Sequence, residues 1–295
     1  MIDIRLSDNL ELMAEMQDNT VDLIYCDILY GTGRKFKDYQ DLKPKREVIE
    51  EHYIPRIKEM HRILKDTGSV YLQMDTKINH WLRCILDDVF GYENFRNEII
   101  WTYETAGGRS LKRFKPSHDV ILFYGKQKHK LIDCLHLEEI KNKYTGYYED
   151  KKGWYQMTGV GNYSQESIFK LKSKGLIHTN SKGKNYLKVY LFEDNGVLYK
   201  EKQFTDVFKN IDTFGGVRKD LKIENTGYNT QKPKELIERI IKASSNEGDL
   251  VADFYAGSFT TAEVCKDLNR NFIGCDISEK AVKIGRERVN SFAQE

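Results

Sequence analysis

Two stretches of this chain set a carboxylate where it could act on a flat, nitrogen-rich ring. In the first, Asp27-Ile28-Leu29-Tyr30-Gly31-Thr32-Gly33, an acid follows directly on the apolar run 21–26. Open α/β sheets carry functional groups just beyond the carboxyl ends of their strands. Tyr30 adds an aromatic ring three residues on, and Gly-x-Gly adds a turn. A carboxylate can accept a hydrogen bond from an exocyclic amine while a ring lies on the base plane. The pair could therefore grip a base flipped out of a duplex. An Asp capping a turn beside a core Tyr is the alternative for the same residues.

The second stretch is Asp253-Phe254-Tyr255-Ala256-Gly257-Ser258, followed by a helical run and then by 271–276. Strand, loop, helix and strand make one βαβ unit, whose ligands bind outside the strand ends. Ala256-Gly257-Ser258 has little side-chain bulk, so a ligand can come close to the backbone. Asp276, closing the second strand, is placed to accept hydrogen bonds from a ribose diol. One glycine, rather than the three of a dinucleotide fingerprint, favours a nucleoside over a pyrophosphate cofactor. A purely structural turn glycine is the alternative here.

These groups matter only if the chain delivers them to one edge of a sheet, and the surrounding pattern alternates helix and strand. Helices are expected over 6–16, 48–64 (with Pro55 as a kink or break) and 78–89, and strands over 21–26, 69–74, 97–103 and 120–124. Asp66-Thr67-Gly68 reads as a turn, and 107–116 as a Gly- and Arg-rich loop. The alternation lapses over 126–229, which reads as an insertion with its own small fold. It returns with a helix from Pro233 to 244, a strand 250–253, a helix 261–268, a strand 271–276 and a helix 278–290. Strands alternating with helices predict an α/β layer architecture with a mostly parallel sheet.

The 295 residues are 40 % apolar, enough for a core, and carry a net charge of +2. No apolar run is long enough to span a bilayer, and Met1-Ile2-Asp3-Ile4-Arg5 lacks the start of a signal peptide. A cytoplasmic protein without membrane association is expected. Five scattered cysteines with no C-x-x-C pair argue against a disulfide scaffold and a zinc ribbon. No metal is expected. Residues 151–222 hold fourteen Lys or Arg against seven Asp or Glu, a local balance of +7 interleaved with aromatics. That mixture suits a polyanion, and equally a solvated lysine-rich surface over an aromatic core.

Four motifs, in this order, resemble the amino-group DNA methyltransferases. Ser7-Asp8-Asn9-Leu10-Glu11 and Asn19-Thr20-Val21-Asp22-Leu23-Ile24 lead into the tetrad Asp27-Ile28-Leu29-Tyr30. Ser117-His118-Asp119-Val120-Ile121-Leu122-Phe123-Tyr124 resembles the strand that helps build the base pocket. Tyr228-Asn229-Thr230-Gln231-Lys232-Pro233 and Asp253-Phe254-Tyr255-Ala256-Gly257-Ser258-Phe259-Thr260-Thr261 complete the set. The catalytic motif precedes the cofactor motif, as in the family's β-type circular permutation. The family's tetrad is usually Asp-Pro-Pro-Tyr and its loop Asp-Pro-Phe-x-Gly-Ser-Gly-Thr-Thr. Here Ile28 and Leu29 replace both prolines, Phe254 replaces the loop proline, and Phe259 replaces the second loop glycine.

The resemblance implies a circularly permuted, Rossmann-like S-adenosylmethionine-dependent methyltransferase fold: α/β, with a mostly parallel sheet and helices on both faces. Residues 1–125 and 230–295 would form the catalytic domain, and 126–229 an inserted target-recognition region. The implied reaction is site-specific methylation of an exocyclic amine of a flipped base in DNA. Adenine N6 is preferred over cytosine N4 because the tetrad acid is Asp. Asp27, the Ile28 carbonyl and Tyr30 would be catalytic. Asp8, Lys232, Asp253, Tyr255, Ala256, Gly257, Ser258 and Asp276 would hold the cofactor, with Lys232 near its carboxylate. Arg109, Lys112, Arg113 and Lys115 would contact DNA phosphates. Double-stranded DNA is the expected partner; a stand-alone modification enzyme also admits a separate restriction endonuclease and a second copy of itself. Other readings stay open: a catalytically dead, methyltransferase-like DNA-binding protein, raised by Ile28, Leu29 and Phe259; a cytosine-N4 enzyme; and a methyltransferase for RNA or a small molecule.

Overall fold

The computed structural model describes residues 1–35, 40–104, 112, 114–140, 146–211, 213, 224–228 and 230–290. They form two compact units, Met1–Cys134 with Thr205–Glu295, and Leu135–Phe204. The first unit begins with β1 (Ile2–Leu6), α1 (Asn9–Glu15), β2 (Val21–Asp27), α2 (Arg46–Ile63), β3 (Leu64–Met74), α3 (Asn79–Phe90), β4 (Phe95–Thr102) and β5 (His118–Gly125). The second unit contains β6 (Leu135–Glu139), β7 (Tyr147–Asp150), β8 (Gly153–Gly159), α4 (Gln165–Ser173), β9 (Ile177–Thr179), β10 (Asn185–Tyr190), β11 (Phe192–Asp194) and β12 (Val197–Gln203). The chain then returns to the first unit with β13 (Val207–Phe208), α5 (Lys234–Ser244), β14 (Leu250–Asp253), α6 (Thr260–Asp267), β15 (Asn271–Asp276) and α7 (Glu279–Asn290).

Eight strands of the first unit make one sheet in the order β1-β15-β14-β2-β3-β5-β4-β13. Only β5 runs against the others. Alternate side chains of each strand feed different cores, as the two-residue period requires. Ile24 and Cys26 of β2 join Val70 and Leu72 of β3 under α1, α2 and α3. Leu23, Tyr25, Tyr71 and Val251 lie on the other face under α5, α6 and α7. Both faces being covered explains why these strands read as near-continuous apolar runs. The second unit holds a four-stranded antiparallel sheet, β7-β8-β10-β9, and a three-stranded one, β11-β12-β6. Among the described residues no helix is long and apolar enough to cross a membrane.

Three local expectations need correction. The helix expected over 6–16 begins later, because Ile2–Leu6 forms an edge strand paired in parallel with β15. Asp8 accepts a hydrogen bond from the Leu10 amide at 2.8 Å and caps the helix that follows. Asp66-Thr67-Gly68 is not a free turn but an irregular part of β3. Val21 pairs with Leu64 while Leu23 pairs with Ser69, so the added residues bulge without ending the strand. Amides of Lys126 and Lys128 bond the carbonyls of Gly68 and Asp66, each at 2.8 Å, and hold the bulge. Pro55 lies inside α2 without ending it. It is exposed, as is Glu51 one turn before, whereas Tyr53, Ile57 and Met60 are buried. The hydrogen bond that Pro55 removes is therefore lost on the watered side of the helix.

Phe259, immediately before α6, is left-handed at φ 55°. This is the position of the family's second loop glycine. A non-glycine residue there is strained by about 1–2 kcal/mol. Its ring is wholly buried beneath α7, edge-on to Phe272 with centroids 6.3 Å apart. Gly285 of α7 makes room for it: a Cβ on Gly285 would stand 2.5 Å from Phe259 Cγ. We expect Gly285→Ala to destabilise the protein by about 1–3 kcal/mol through overpacking, read as a lowered urea midpoint. An unchanged midpoint would show that the ring is free to move aside.

Candidate active site

The chain crosses in opposite directions on the two sides of the β14–β2 pair. From β2 it passes to β3, from β14 to β15, and Val251 and Ala252 pair with Leu23 and Ile24. Such a switch point opens a crevice at the carboxyl ends of the strands. Asp27, Asp253 and Asp276 end the parallel strands β2, β14 and β15, so they reach the same edge. One cleft is lined by Asp8, Asp27, Ile28, Tyr30, Lys232, Asp253, Tyr255, Ala256, Gly257, Ser258 and Asp276. All the residues expected for catalysis and cofactor binding are thus together. A second cavity shares Tyr30, Tyr228, Thr230 and Lys232 and adds Trp101, Tyr103 and Asp119.

On the acid side, Lys232 Nζ donates to Asp27 Oδ2 at 2.5 Å. The Tyr30 hydroxyl lies 2.9 Å from Asp27 Oδ1 and 2.7 Å from Asp119 Oδ2. Burial pushes the Asp27 carboxyl up, and Lys232 opposes that push. Burial also raises the Tyr30 hydroxyl, as do the charges of Asp27 and Asp119, so it stays a neutral phenol. The missing prolines are replaced by tethers. The Ile28 amide donates to the Gln73 carbonyl at 3.1 Å, and the Tyr53 hydroxyl donates to the Leu29 carbonyl at 2.9 Å. Asp41 then pins the next turn, accepting from the amides of Gly31 at 3.1 Å, Thr32 at 2.7 Å and Leu42 at 2.8 Å.

On the other side, Asp276 accepts from the Gly257 amide at 3.0 Å and the Ser278 amide at 2.8 Å. Gly257 takes φ 50°, and a Cβ there would meet Tyr228 Cε1 at 3.3 Å, so the glycine keeps this turn slim. Asp253 accepts from the Tyr255 amide at 3.0 Å and the Thr261 hydroxyl at 2.6 Å. Burial raises its carboxyl to about 7. Asp8 lies 3.3 Å from Arg56 Nη2 as well as capping α1. The Tyr255 hydroxyl meets His52 Nε2 at 3.0 Å. Phe254, in place of the loop proline, points into the core with only 2 % exposure, and its carbonyl accepts from Asn9 Nδ2 at 3.2 Å. Phe254 borders the cleft, and Phe259 is not among the residues that line it.

Of the residues expected to meet DNA, Lys112 and Lys115 are exposed, while Arg109 and Arg113 lie outside the described residues, as does Asn229. Several site residues escaped the sequence reading, namely Gln73, Tyr103, Asp41, His52 and Arg56, and Asp119 entered it only as part of the strand motif 117–124. Gln73 and Asp119 did leave a signal, as lone polar residues in apolar strand runs. A buried polar group in a central strand must have a partner. The sequence does not say which.

The chain matches the family model described as DNA methylase, covering amino-group N6 and N4 enzymes, over residues 21–287. It is 28% identical over 285 residues to the type II methyltransferase M.HpaI of Haemophilus parainfluenzae, with 97% of this chain and 73% of that one covered. It is 27% identical over 283 residues to the DNA adenine methyltransferase YhdJ of Escherichia coli strain K12, covering 96% and 81%. Among solved structures, the M1.HpyAVI–SAM complex superposes with a TM-score of 0.55 at 18% identity, covering 98% of this chain and 100% of that one.

The raised Asp253 carboxyl gives stability a pH dependence. Folded, it holds its proton to about 7, against an ordinary value of 3.8. Ionisation in that window therefore weighs against the folded state, and the stability present below pH 3.8 is lost as pH rises towards 7. We expect wild type to lose stability relative to Asp253→Asn between pH 4 and pH 8, measured by urea unfolding of both at each pH. Parallel curves would show that Asp253 ionises normally.

Proposed function

We propose a reaction for this chain from a plain premise: it belongs to the amino-group (N6 and N4) DNA methylase family. It is a DNA methyltransferase, and the reading we favour is methyl transfer from S-adenosylmethionine to N6 of an adenine flipped out of duplex DNA. One observation carries this. The Asp27–Tyr30 pair and the Gly257–Asp276 turn, far apart in sequence, open into a single cleft. A nucleoside cofactor suits that cleft. Its turn is slim where a Cβ would crowd Tyr228, and its rim carries the Asp276 carboxylate beside two backbone amides. Asp in the tetrad supports adenine over cytosine.

When bound, S-adenosylmethionine supplies the electrophilic methyl group. Asp276 would hold its ribose, and Ala256, Gly257 and Ser258 with Asp253 and Tyr255 would line its path; Asp8 and Lys232 stand on the same cleft. An exocyclic amine is a poor nucleophile because its lone pair is delocalised into the ring. Asp27 and the Ile28 carbonyl would accept its two N–H bonds and favour a tetrahedral nitrogen. Positive charge then grows on that nitrogen, and a carboxylate already fixed in place stabilises the transition state more than the ground state. Lys232 favours the ionised form of Asp27 against its burial. Tyr30 would stack on the base. Lys112 and Lys115, with Arg109 and Arg113, would bind phosphates, and the region 126–229, which includes the compact unit Leu135–Phe204, would choose the sequence. A separate restriction endonuclease and a homodimer stay expectations of the sequence.

Single-molecule sequencing of DNA from a host expressing the gene tests the whole reading. N6-methyladenine at one recurrent sequence is expected with wild type. With Asp27→Ala the mark should vanish and turnover in vitro should fall on the order of 10²-fold or more. Methylated cytosine would overturn the choice of base, and wild-type turnover by Asp27→Ala the role of the acid. Asp276→Ala should weaken S-adenosylmethionine binding by roughly 1.5–3 kcal/mol in a calorimetric titration. Unchanged affinity would remove Asp276 from the cofactor site.

A further inference from the structure

The Tyr30 hydroxyl stands between two carboxylates and has one hydrogen to give. Its oxygen is 2.9 Å from Asp27 Oδ1 and 2.7 Å from Asp119 Oδ2. A phenol carries a single O–H and an ionised carboxylate carries none. One of these two short contacts therefore holds no hydrogen unless a further proton joins the group. Asp119 has other donors: Gln73 Nε2 reaches Oδ2 at 2.9 Å, and the Tyr103 hydroxyl reaches Oδ1 at 2.8 Å. Gln73 is fixed in that orientation because its Oε1 accepts from the Tyr25 hydroxyl at 2.8 Å. Stacking on a base needs the ring of Tyr30 but not its hydroxyl, so this arrangement has a purpose still to be assigned.

We propose that Asp119 is a positioning residue for methyl transfer, acting through Tyr30 to prepare Asp27 for the proton that the methylated amine must lose. This rests on Asp27 being the acid that faces the amine. Before transfer, Tyr30 donates to Asp27, while Gln73 and Tyr103 serve Asp119. Once the methyl group has joined the nitrogen, an N–H bond breaks and its electron pair stays on nitrogen. The proton forms an O–H bond with Asp27 Oδ1. That O–H donates to Tyr30 Oη, and the Tyr30 O–H turns to Asp119 Oδ2. Each short contact now holds one hydrogen and Tyr30 stays neutral. Asp27 keeps the added proton until water takes it as product leaves.

The charged and titratable groups facing Asp27 are Lys232 ahead of α5, Asp119 on β5, Tyr30 in its own loop, Tyr25 on β2, Tyr103 after β4 and Asp253 on β14. The Asp119 charge raises Asp27, whereas the Tyr30 hydrogen bond lowers it. The two residues should thus act with opposite sign. The test is the pH profile of single-turnover methyl transfer by the full chain, with labelled S-adenosylmethionine and genomic duplex DNA from a methylation-deficient host. Tyr30→Phe keeps the ring and should move the acidic limb up by about one pH unit, and Asp119→Asn should move it down by about as much. S-adenosylmethionine affinity should be unchanged in both. Tyr103→Phe serves where Asp119→Asn does not fold. It takes a donor from Asp119, draws the Tyr30 hydrogen away from Asp27, and should also raise the limb. Limbs that stay still, or Tyr30→Phe and Asp119→Asn limbs that move the same way, overturn the proposal. Asp27→Asn separates the readings. Full turnover in that variant overturns the role of Asp27 and this proposal with it; an inactive Asp27→Asn beside unmoved limbs overturns this proposal alone.

Discussion

Taking an ionised carboxylate out of water costs several kcal/mol unless partners are brought to it, and Asp27 sits at the end of a central strand where that cost applies. Its partners come from two places. Lys232 arrives from the segment leading into α5, 205 residues away along the chain. Tyr30 belongs to its own loop and is shared with Asp119 of β5, which Gln73 of β3 also bonds and whose charge works against Asp27. The Lys232 contact and the tie of Tyr30 to Asp119 form only when the sheet is assembled, so the acid is set only in the folded protein. The opposing effects also suit its task. Burial raises the Asp27 carboxyl and so favours its taking a proton, while Lys232 opposes that push. A carboxylate held in this balance can respond to a change as small as one hydrogen bond.

The same demand for fixed geometry explains how the chain does without the family's prolines and second glycine. Proline orients a peptide by restricting φ, but hydrogen bonds at both ends of a peptide can do so as well. The Ile28 amide and the Leu29 carbonyl are tied to β3 and α2, and Asp41 ties the turn beyond them. At Phe259 the backbone keeps the left-handed form that suits a glycine. The strain is offset by burying a ring between α6 and α7, with Gly285 yielding the space. Loop shape is thereby kept while its support moves from the backbone to the core. Judged by motif identity alone these departures suggest decay, whereas in the structure each has a local compensation.

The large elements were legible because their signals are strong and local. The strand 250–253, the strand 271–276 and the helix near 278–290 were expected almost where they stand. Each is an apolar run or amphipathic stripe bounded by a turn signal and ending on an acid or a cap. Strand β1 was missed because it is five residues long, at the sheet edge, with Asp3 and Arg5 facing outward. The bulge in β3 was missed because Asp-Thr-Gly is turn chemistry, and only pairing with the chain after β5 makes it a strand. At the site, residue types were legible and pairings were not. Asp119 and Gln73 stand out as polar residues in apolar strands, yet they meet each other 46 residues apart, and Asp119 meets Tyr30 89 residues apart. Lys232 was expected beside the cofactor carboxylate; a long side chain can reach more than one acid in a shared cleft, and here it bonds Asp27.

The sheet order explains why the order of motifs along the chain can be permuted without moving the site. What the chemistry needs is adjacency of β14 and β2, so that the turn after one and the acid after the other open into the same crevice. Parallel pairing puts both carboxyl ends on one edge whichever strand is made first. A long excursion between them is then tolerated, because the entropic cost of closing a loop grows only with the logarithm of its length. That excursion leaves after β5 and returns at β13, both on the side of the sheet beyond β3, so its exit and entry do not interrupt the β15-β14-β2 core of the site. Substitutions in the excursion are therefore free of the constraint that holds Asp27 and Asp276 in register. A fold built this way can vary its excursion while the geometry of the cleft stays fixed.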